Sequence, residues 1–267
     1  LIFSIQAQSL DLVRFFINCH KNANLIANQK EVNIINRRGN DHLRWTPLHV
    51  AANSGNVLIV RELKKVSGIN VNLRDADGNT PLMIAVSNNF EEIVQELLKS
   101  KKKSINGMKN RSKSLNAESI KSSSSIVDPN IADKYGWTPL FVAIGNKNIS
   151  IVKMLLGYDK GGKFTNVNQI AIVGQNNDDD DEIDMDNHSS ASTEMAASAG
   201  RGMTPLSLAV DVGDEDIFNL LLQRDDIDVN AKSLGGDSPL SIAVKKRNLI
   251  FINGIISTKK VKKDIVV

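Results

Sequence analysis

The side chains with the greatest capacity for chemistry are four histidines and one cysteine. The histidines are His20, His42, His49 and His188, which are scattered along the chain. Cys19 is the single cysteine, so the sequence provides neither an internal disulfide nor a finger-type zinc site. None of these residues forms a recognisable catalytic or metal-binding motif.

An acidic run is the other candidate for a metal site. It holds six Asp and one Glu between residues 178 and 186, but it lacks the spaced Gly and Glu of an EF-hand calcium loop. The sequence also lacks a phosphate-binding P-loop, an H-E-x-x-H zinc motif and a G-x-S-x-G nucleophile motif. We therefore predict no enzyme activity, no cofactor and no specific metal site.

The composition is that of a folded chain of mixed charge. The 267 residues include 33 Lys and Arg against 30 Asp and Glu, a formal net charge of +3, which excludes a uniformly basic nucleic-acid binder. The length suggests one or two domains, and aromatic residues make up only 4%, so the core must be mainly aliphatic. Polar residues interrupt the apolar stretch at residues 1–17, which excludes a membrane span or signal peptide there.

An internal repeat organises the chain. A phrase of Thr or Ser followed by Pro and Leu begins at Thr46, Thr80, Thr138, Thr204 and Ser238. Three residues beyond each Leu lies a small residue: Ala51, Ala85, Ala143, Ala209 or Ala243. Apolar residues recur eleven, twelve and fifteen positions beyond the Leu, with Leu1 to Phe16 matching a sixth unit that lacks its beginning.

Each unit predicts two helices joined by a turn. Thr or Ser is a good N-cap, and Pro fits the first helical position, where no backbone donor is needed. The later apolar positions follow helical spacing and predict a second helix with one buried stripe. Between units, Gly78, Gly136 and Gly236 lie at a fixed offset in turn-rich segments, which predicts a positive φ at each.

This pattern resembles the ankyrin repeat, D-x-x-G-x-T-P-L-H-x-A followed by a second helix. The resemblance implies an all-α solenoid of stacked helix-turn-helix units with β-hairpin fingers, and it assigns His49 a structural hydrogen bond. The turn between the helices has Gly55 and Gly213 in two units, but other residues elsewhere. A non-Gly residue costs about 1 kcal/mol in a left-handed turn, so units without this Gly should be weaker.

The predicted units and insertions cover the whole chain. The units are residues 1–32, 33–71, 72–98, 129–167, 200–229 and 230–263. A basic Ser/Lys-rich insert at 99–128 carries eight Lys or Arg against one Glu, and an acidic insert at 169–199 carries the acidic run. Both compositions predict disorder. Because the first unit begins inside its motif and the last has a poorly polar outer face, we expect a segment of a longer array.

The resemblance implies a protein partner bound on a concave surface of finger tips and first helices. The finger candidates are Arg44, Trp45, Asp75, Asp77, Asn79, Lys134, Tyr135, Trp137, Arg201 and Met203. The first-helix candidates are Asn53, Ser54, Ser87, Asn88, Asn146, Asp211, Lys245 and Lys246. Trp45 and Trp137 are either contact residues or covers for the neighbouring finger, and the sequence does not separate these roles.

The resulting functional prediction is a non-catalytic protein-interaction scaffold. The alternative is a regulatory ankyrin segment of a larger enzyme or channel whose chemistry lies outside these residues. A small-molecule substrate is not expected, and nucleic-acid binding through the basic insert is the weakest reading, because an equal acidic insert opposes it. The expected location is the cytoplasm, with nuclear import through basic clusters at 101–103 and 259–263 as the other outcome.

Overall fold

The computed structural model describes residues 1–26, 34–99, 126–157, 165–171, 202–258 and 260. The chain forms two compact units, residues 1–128 and residues 129–267. Within the described residues, each unit contains six α-helices. The repeated helix pairs expected from the sequence are therefore present in both units.

The first unit has two layers of helices. Its helices are α1 (Ile2–Gln6), α2 (Leu10–Ile26), α3 (Pro47–Asn53), α4 (Val57–Lys64), α5 (Pro81–Ser87) and α6 (Glu91–Leu98). The first helices α1, α3 and α5 pack one on the next, and so do the second helices α2, α4 and α6. The core lies between these layers.

The second unit repeats this arrangement. Its helices are α7 (Pro139–Gly145), α8 (Ile149–Leu156), α9 (Pro205–Val212), α10 (Glu215–Leu222), α11 (Pro239–Lys245) and α12 (Leu249–Ser257). Here α7, α9 and α11 form one layer, and α8, α10 and α12 form the other.

The hydroxyl residue of the repeated phrase starts each first helix as predicted. The side chains of Thr46, Thr80, Thr204 and Ser238 accept a hydrogen bond from the backbone N–H three residues later. Thr138 occupies the same N-cap position without a side-chain capping bond. In all five helices Pro follows the cap at the first helical position, which fixes where the helix begins.

The turn after each first helix is left-handed, as the sequence predicted. The value of φ is 74° at Gly55 and 76° at Gly213. It is 57° at Asn89, 53° at Lys147 and 54° at Arg247, where the side chain brings a steric cost. The prediction that these turns adopt a left-handed conformation is confirmed, and so is the positive φ at the three finger glycines.

The alanine that lies three residues beyond the signature Leu is a core residue in each of the five complete repeats. Ala51, Ala85, Ala143, Ala209 and Ala243 are all fully buried. A larger side chain at this position would force the packed helices apart or out of good rotamers. A small side chain is therefore buried at this position in every complete repeat.

Asparagine side chains join the loops of successive repeats. Asn36 donates to the carbonyl of Gly68 at 2.8 Å and accepts from the N–H of Asn70 at 2.8 Å. The same two bonds link Asn72 to Ile126 and Asp128, and Asn168 to Asp226 and Asp228. Each amide therefore satisfies the backbone of the next loop and fixes the spacing between repeats.

The expected β-hairpins are not confirmed. In the described part of the chain the fingers form turns, and no residue there has strand structure. The finger ending at Trp45 has one bond from Gly39 N–H to the Trp45 carbonyl at 2.7 Å. One bond between successive fingers runs from Ala76 N–H to the Leu43 carbonyl at 3.0 Å. Single bonds of this kind do not make a ladder.

Most of the two predicted inserts lies outside the described residues, namely 100–125 of the basic insert and 172–199 of the acidic insert. Within the described helices, none has the length and apolar character needed to cross a membrane.

The turn geometry makes a stability prediction at Lys147. Its N–H bonds to Ile144 and the next N–H bonds to Ala143, which is a helix-ending motif that favours Gly. Lys147→Gly removes the steric cost of the positive φ and should raise the free energy of unfolding by about 0.5 to 1 kcal/mol. Urea denaturation followed by circular dichroism measures this change.

The matched control is Lys153→Gly, at an exposed lysine inside α8. Glycine there loses helix propensity, so stability should fall by about 1 kcal/mol. If both glycine variants were destabilised alike, relief of the left-handed strain would not be the explanation.

Candidate protein-interaction surface

The finger of the third repeat, residues 72–98, is built around one carboxylate. Asp75 Oδ1 accepts from the N–H groups of Asp77 at 3.0 Å and Asn79 at 2.7 Å. Its backbone N–H also donates to the Asn79 carbonyl at 2.9 Å. Asp75 is buried, whereas Asp77 and Asn79 are half-buried. The prediction that Asp75 faces a partner is therefore corrected, because its side chain is used to hold the finger together.

Trp45 is fixed to that neighbouring finger. Its indole Nε1–H donates to Asp75 Oδ2 at 3.1 Å, and the ring is half-buried. Arg44, next in sequence, is exposed with a positive φ of 53°. Trp45 thus covers the next finger, and part of its side chain remains accessible to solvent.

The ends of the first helices form a second strip of polar side chains in the first unit. Asn53, Ser87 and Asn88 are exposed. Asn88 Nδ2 donates to Asn53 Oδ1 at 3.1 Å, which joins the ends of α3 and α5. Ser54 is half-buried and donates to the Ala51 carbonyl at 2.9 Å, so part of its polarity is satisfied internally.

In the second unit, the first finger presents two aromatic rings and a cation. Asp133 Oδ1 accepts from the N–H groups of Tyr135 at 2.8 Å and Trp137 at 2.9 Å, as Asp75 does in the first unit. The two ring centroids lie 6.2 Å apart. The ammonium of exposed Lys134 lies 5.0 Å from the Tyr135 ring centroid, within cation–π range. Tyr135 and Trp137 are half-buried.

The helix ends of the second unit carry charge. Lys246 pairs with Asp211 at 2.8 Å, and Lys245 pairs with Asp237 at 2.6 Å. Both lysines are exposed, and Asp211 is half-buried. Ion pairs at the surface contribute little to the free energy of unfolding. They do, however, place charged groups at the ends of these first helices. Asn146, at the end of α7, is half-buried and uncharged.

In the second unit, one candidate differs from expectation, one lies outside the described residues, and one charged residue was not predicted. Met203 is buried, so its predicted exposure to a partner is corrected. Arg201 lies outside the described residues. Asp237 was not predicted, although it occupies the position before the phrase that Asn79 and Trp137 occupy in other repeats. That equivalence was the signal that could have identified it.

His49 is part of the framework, as the family resemblance implied. It is fully buried, its Nδ1 accepts from Thr46 N–H at 3.1 Å, and its Nε2 lies 3.1 Å from the Asn79 carbonyl. Since Nδ1 is the acceptor, Nε2 carries the proton and donates. Burial lowers the pKa of His49, and the Asn79 carbonyl and Asp75 carboxylate offset that effect only in part. The imidazole therefore favours its neutral form.

Among the described residues, no group of three or more His, Cys, Asp or Glu is placed to hold a metal ion. In that part of the chain, the predicted contact residues that are exposed or half-buried carry amide, hydroxyl, aromatic and charged side chains. Their chemistry suits contacts with another macromolecule.

Each compact unit is built from successive helix pairs, and in the complete repeats the first helix begins at an N-cap Thr or Ser followed by Pro. This architecture is that of a helical repeat protein. The family profile described as "Ankyrin repeats (3 copies)" matches residues 1–109 and 115–265. The chain belongs to the ankyrin-repeat family. Repeats of this family generally mediate protein–protein interactions and are typically not catalytic.

Two similar curated proteins are much longer than this chain. Mouse Rabankyrin-5 is 29% identical over 184 residues, 66% of this chain and 13% of that protein. The chicken nuclear factor NF-kappa-B p105 subunit is 26% identical over 280 residues, 94% of this chain and 26% of that protein. The chain therefore spans about a quarter or less of these curated relatives.

A solved structure agrees with the fold. The ankyrin repeat domain of Bcl-3 superposes with a TM-score of 0.65 over 96% of this chain and 84% of that chain. The sequence identity is 19%, so this likeness shows the fold alone.

The buried imidazole predicts a pH dependence of stability. The unfolded chain protonates this histidine as the pH falls through about 6.5, whereas folded His49 takes its proton at lower pH. Between these two pKa values the unfolded state binds more protons, so the free energy of unfolding should fall as the pH is lowered. The full contribution is present above about pH 6.5.

His49→Gln tests this prediction, because Gln in the third helical position retains a capping acceptor. Urea unfolding on both sides of about pH 6.5 should show a shallower pH slope in this variant, by up to about 1.4 kcal/mol per pH unit. His42→Gln, at an exposed histidine, is the control and should keep the wild-type slope. Equal slopes in all three proteins would contradict the assignment to His49.

Proposed function

We propose that this chain is a non-catalytic protein-interaction scaffold whose partner contacts the fingers and first-helix ends. One observation carries the proposal: each of the five first helices that begin with Pro is buried along most of its length and becomes accessible at its C-terminal end. In α5, residues 81–86 are buried, whereas Ser87 and Asn88 are exposed. The buried residues maintain the fold, so the accessible ends are available for recognition.

The accessible positions differ between repeats, whereas the framework does not. At the same position near the helix end, the five first helices of the complete repeats have Asn53, Ser87, Gly145, Asp211 and Lys245. The framework position two residues before each is always Ala. A scaffold that recognises a particular partner requires this combination of constant support and varied surface.

Each unit has its own chemistry at its fingers and helix ends. The first unit presents amides, hydroxyls and the edge of Trp45. The second unit presents Lys134 with Tyr135 and Trp137. Aromatic side chains are enriched among residues that dominate binding energy, so we place the strongest contact of the proposed interface at this aromatic pair.

The location proposed for this activity is the cytoplasm, with entry to the nucleus through the basic clusters at residues 101–103 and 259–263 as the alternative.

Paired substitutions in each unit test the surface. The first variant, Asn53→Arg with Ser87→Arg, adds bulk and charge to the helix ends of the first unit. The second, Lys134→Glu with Tyr135→Ala, removes the cation and ring from the finger of the second unit. Proteins captured from a native lysate are quantified by mass spectrometry, and at least one variant should lose a captured protein by about tenfold or more.

The control adds the same charge away from the proposed surface. Ser67→Arg with Gln95→Arg alters exposed residues after α4 and on α6, and it should capture partners like the wild type. Circular dichroism must show that all variants remain helical. Undiminished capture by both surface variants would place binding elsewhere and overturn the proposal.

A further inference from the structure

Arg44 occupies a finger position that is glycine in the later repeats. Two residues before the N-cap Thr or Ser, those repeats have Gly78, Gly136, Gly202 and Gly236. Their φ values lie between 60° and 86°. Arg44 has a φ of 53°, and its N–H donates to the Asp41 carbonyl at 3.2 Å in an equivalent turn. This left-handed conformation is unfavourable for a residue with a Cβ, and such residues cluster at functional sites.

Three more arginines belong to this finger and the next one, namely Arg37, Arg38 and Arg74. The N–H of Ala76 donates to the Leu43 carbonyl at 3.0 Å, which holds the two fingers side by side. Arg38 is half-buried, and the other arginines of these fingers are exposed. We call Arg37, Arg38, Arg44 and Arg74 the arginine edge.

The guanidinium groups of the arginine edge keep most of their donors available. Within the described part of the chain, all of them except that of Arg74 are without a hydrogen-bond or ion-pair partner. Arg74 Nε donates to the Gly78 carbonyl at 3.1 Å, which uses one of its five N–H groups. By contrast, a carboxylate of the chain pairs with three arginines outside the fingers: Arg14, Arg61 and Arg224.

The carboxylates of the two fingers do not supply the missing acceptors. Asp75 is buried, and both of its oxygens accept hydrogen bonds from groups of the fingers. Asp41 Oδ1 accepts the N–H of Arg44 at 2.9 Å. With the half-buried Asp77, the fingers have three aspartates against four arginines. The helix ends of the same unit, residues 53–56 and 87–89, are uncharged, so charge in this region is concentrated on the fingers.

A ligand that satisfies these donors must bring anionic oxygens. The planar guanidinium group binds carboxylates and phosphates through two parallel hydrogen bonds. The four groups are spread over two successive fingers, so they match several carboxylates along a segment better than they match one phosphate. The nearly balanced charge of the whole chain also differs from the strongly basic surface of nucleic-acid binders.

We propose that the arginine edge binds a segment of the protein partner that is rich in Asp and Glu. The inference rests on the proposed function, because it assumes that a partner contacts the fingers, and it adds the chemistry that the fingers of the first unit recognise. Ion pairs with the bound carboxylates offset the unfavourable conformation of Arg44. Since these pairs form at the surface, their strength falls as the ionic strength rises.

Fluorescence anisotropy with the full chain tests this proposal. The probe is a fluorescein-labelled peptide of alternating Glu and Gly, which the wild type should bind in a saturable and salt-sensitive manner. Arg44→Gln with Arg74→Gln should weaken the affinity by about tenfold or more, because two bidentate contacts are lost. Wild type and variant carry the same acidic insert, so the comparison isolates the arginines.

The matched control is Arg14→Gln with Arg61→Gln, which removes the same charge from the second helices of the same unit. These arginines form exposed ion pairs of low stability, so the control should bind the peptide like the wild type. An equal loss of affinity in both variants would show that only net charge matters and would overturn the proposal.

Arg44→Gly separates recognition from a structural role. Glycine relieves the strain of the positive φ, so the urea midpoint of unfolding should rise. The same variant should bind the acidic peptide about threefold or more weakly, because a guanidinium is lost. A more stable protein with unchanged peptide affinity would show that Arg44 takes no part in binding and would contradict the proposal.

Two further probes test the choice of ligand. They are a Gly/Ser peptide with one phosphoserine and a single-stranded deoxythymidine oligonucleotide. Tighter binding of either probe than of the acidic peptide, with loss in the Arg44→Gln and Arg74→Gln variant, would assign the arginine edge to phosphate and overturn the carboxylate proposal.

The outcome for the proposed function is read separately from lysate capture. If capture depends on the helix ends or on the aromatic finger while the acidic peptide shows no saturable binding, the inference about the arginine edge fails and the interaction scaffold stands. If the surface variants also capture proteins like the wild type, both proposals fail.

Discussion

In the part of the chain that the structure describes, no helix pair can bury its own apolar surface. Apart from α2, the helices have five to nine residues, and isolated helices below about 12 to 15 residues are marginal in water. Each pair therefore depends on its neighbours along the stack. This dependence fixes the buried positions of every repeat and leaves only the helix ends and fingers free to vary.

The polar framework joins the repeats where apolar packing ends. The carboxylate of Asp75 closes its own finger and receives the indole of Trp45 from the preceding one. His49 reaches the same finger through the Asn79 carbonyl. These bonds are partly buried, so their loss would leave polar groups that water satisfies only in part. The accessible parts of the fingers are thus held in place by Asp75, Trp45 and His49, and substituting any of these residues would also disturb the fold.

The framework was predictable because its physics repeats. The N-caps, the buried alanines and the left-handed turns each follow from a residue type at a fixed spacing, and the turns hold even at Lys147 and Arg247, where Gly is missing. The candidate interaction surface was less predictable, because whether a finger side chain is exposed depends on how the neighbouring repeat packs against it. Asp75 and Met203 occupy finger positions in sequence, yet both are buried. The β-hairpins were expected only from the family resemblance, and the described fingers form turns.

The energetics of such a stack differ between its interior and its ends. In a repeat array, stability is approximately a sum of terms for each repeat and for each interface between neighbours. The first repeat leaves Phe3 exposed, and its helix α1 has no side-chain cap; the last repeat leaves Val244 and Ile256 exposed. The middle pair of each unit, α3 with α4 and α9 with α10, packs against a helix pair on either side, so a destabilising substitution there weakens two interfaces at once.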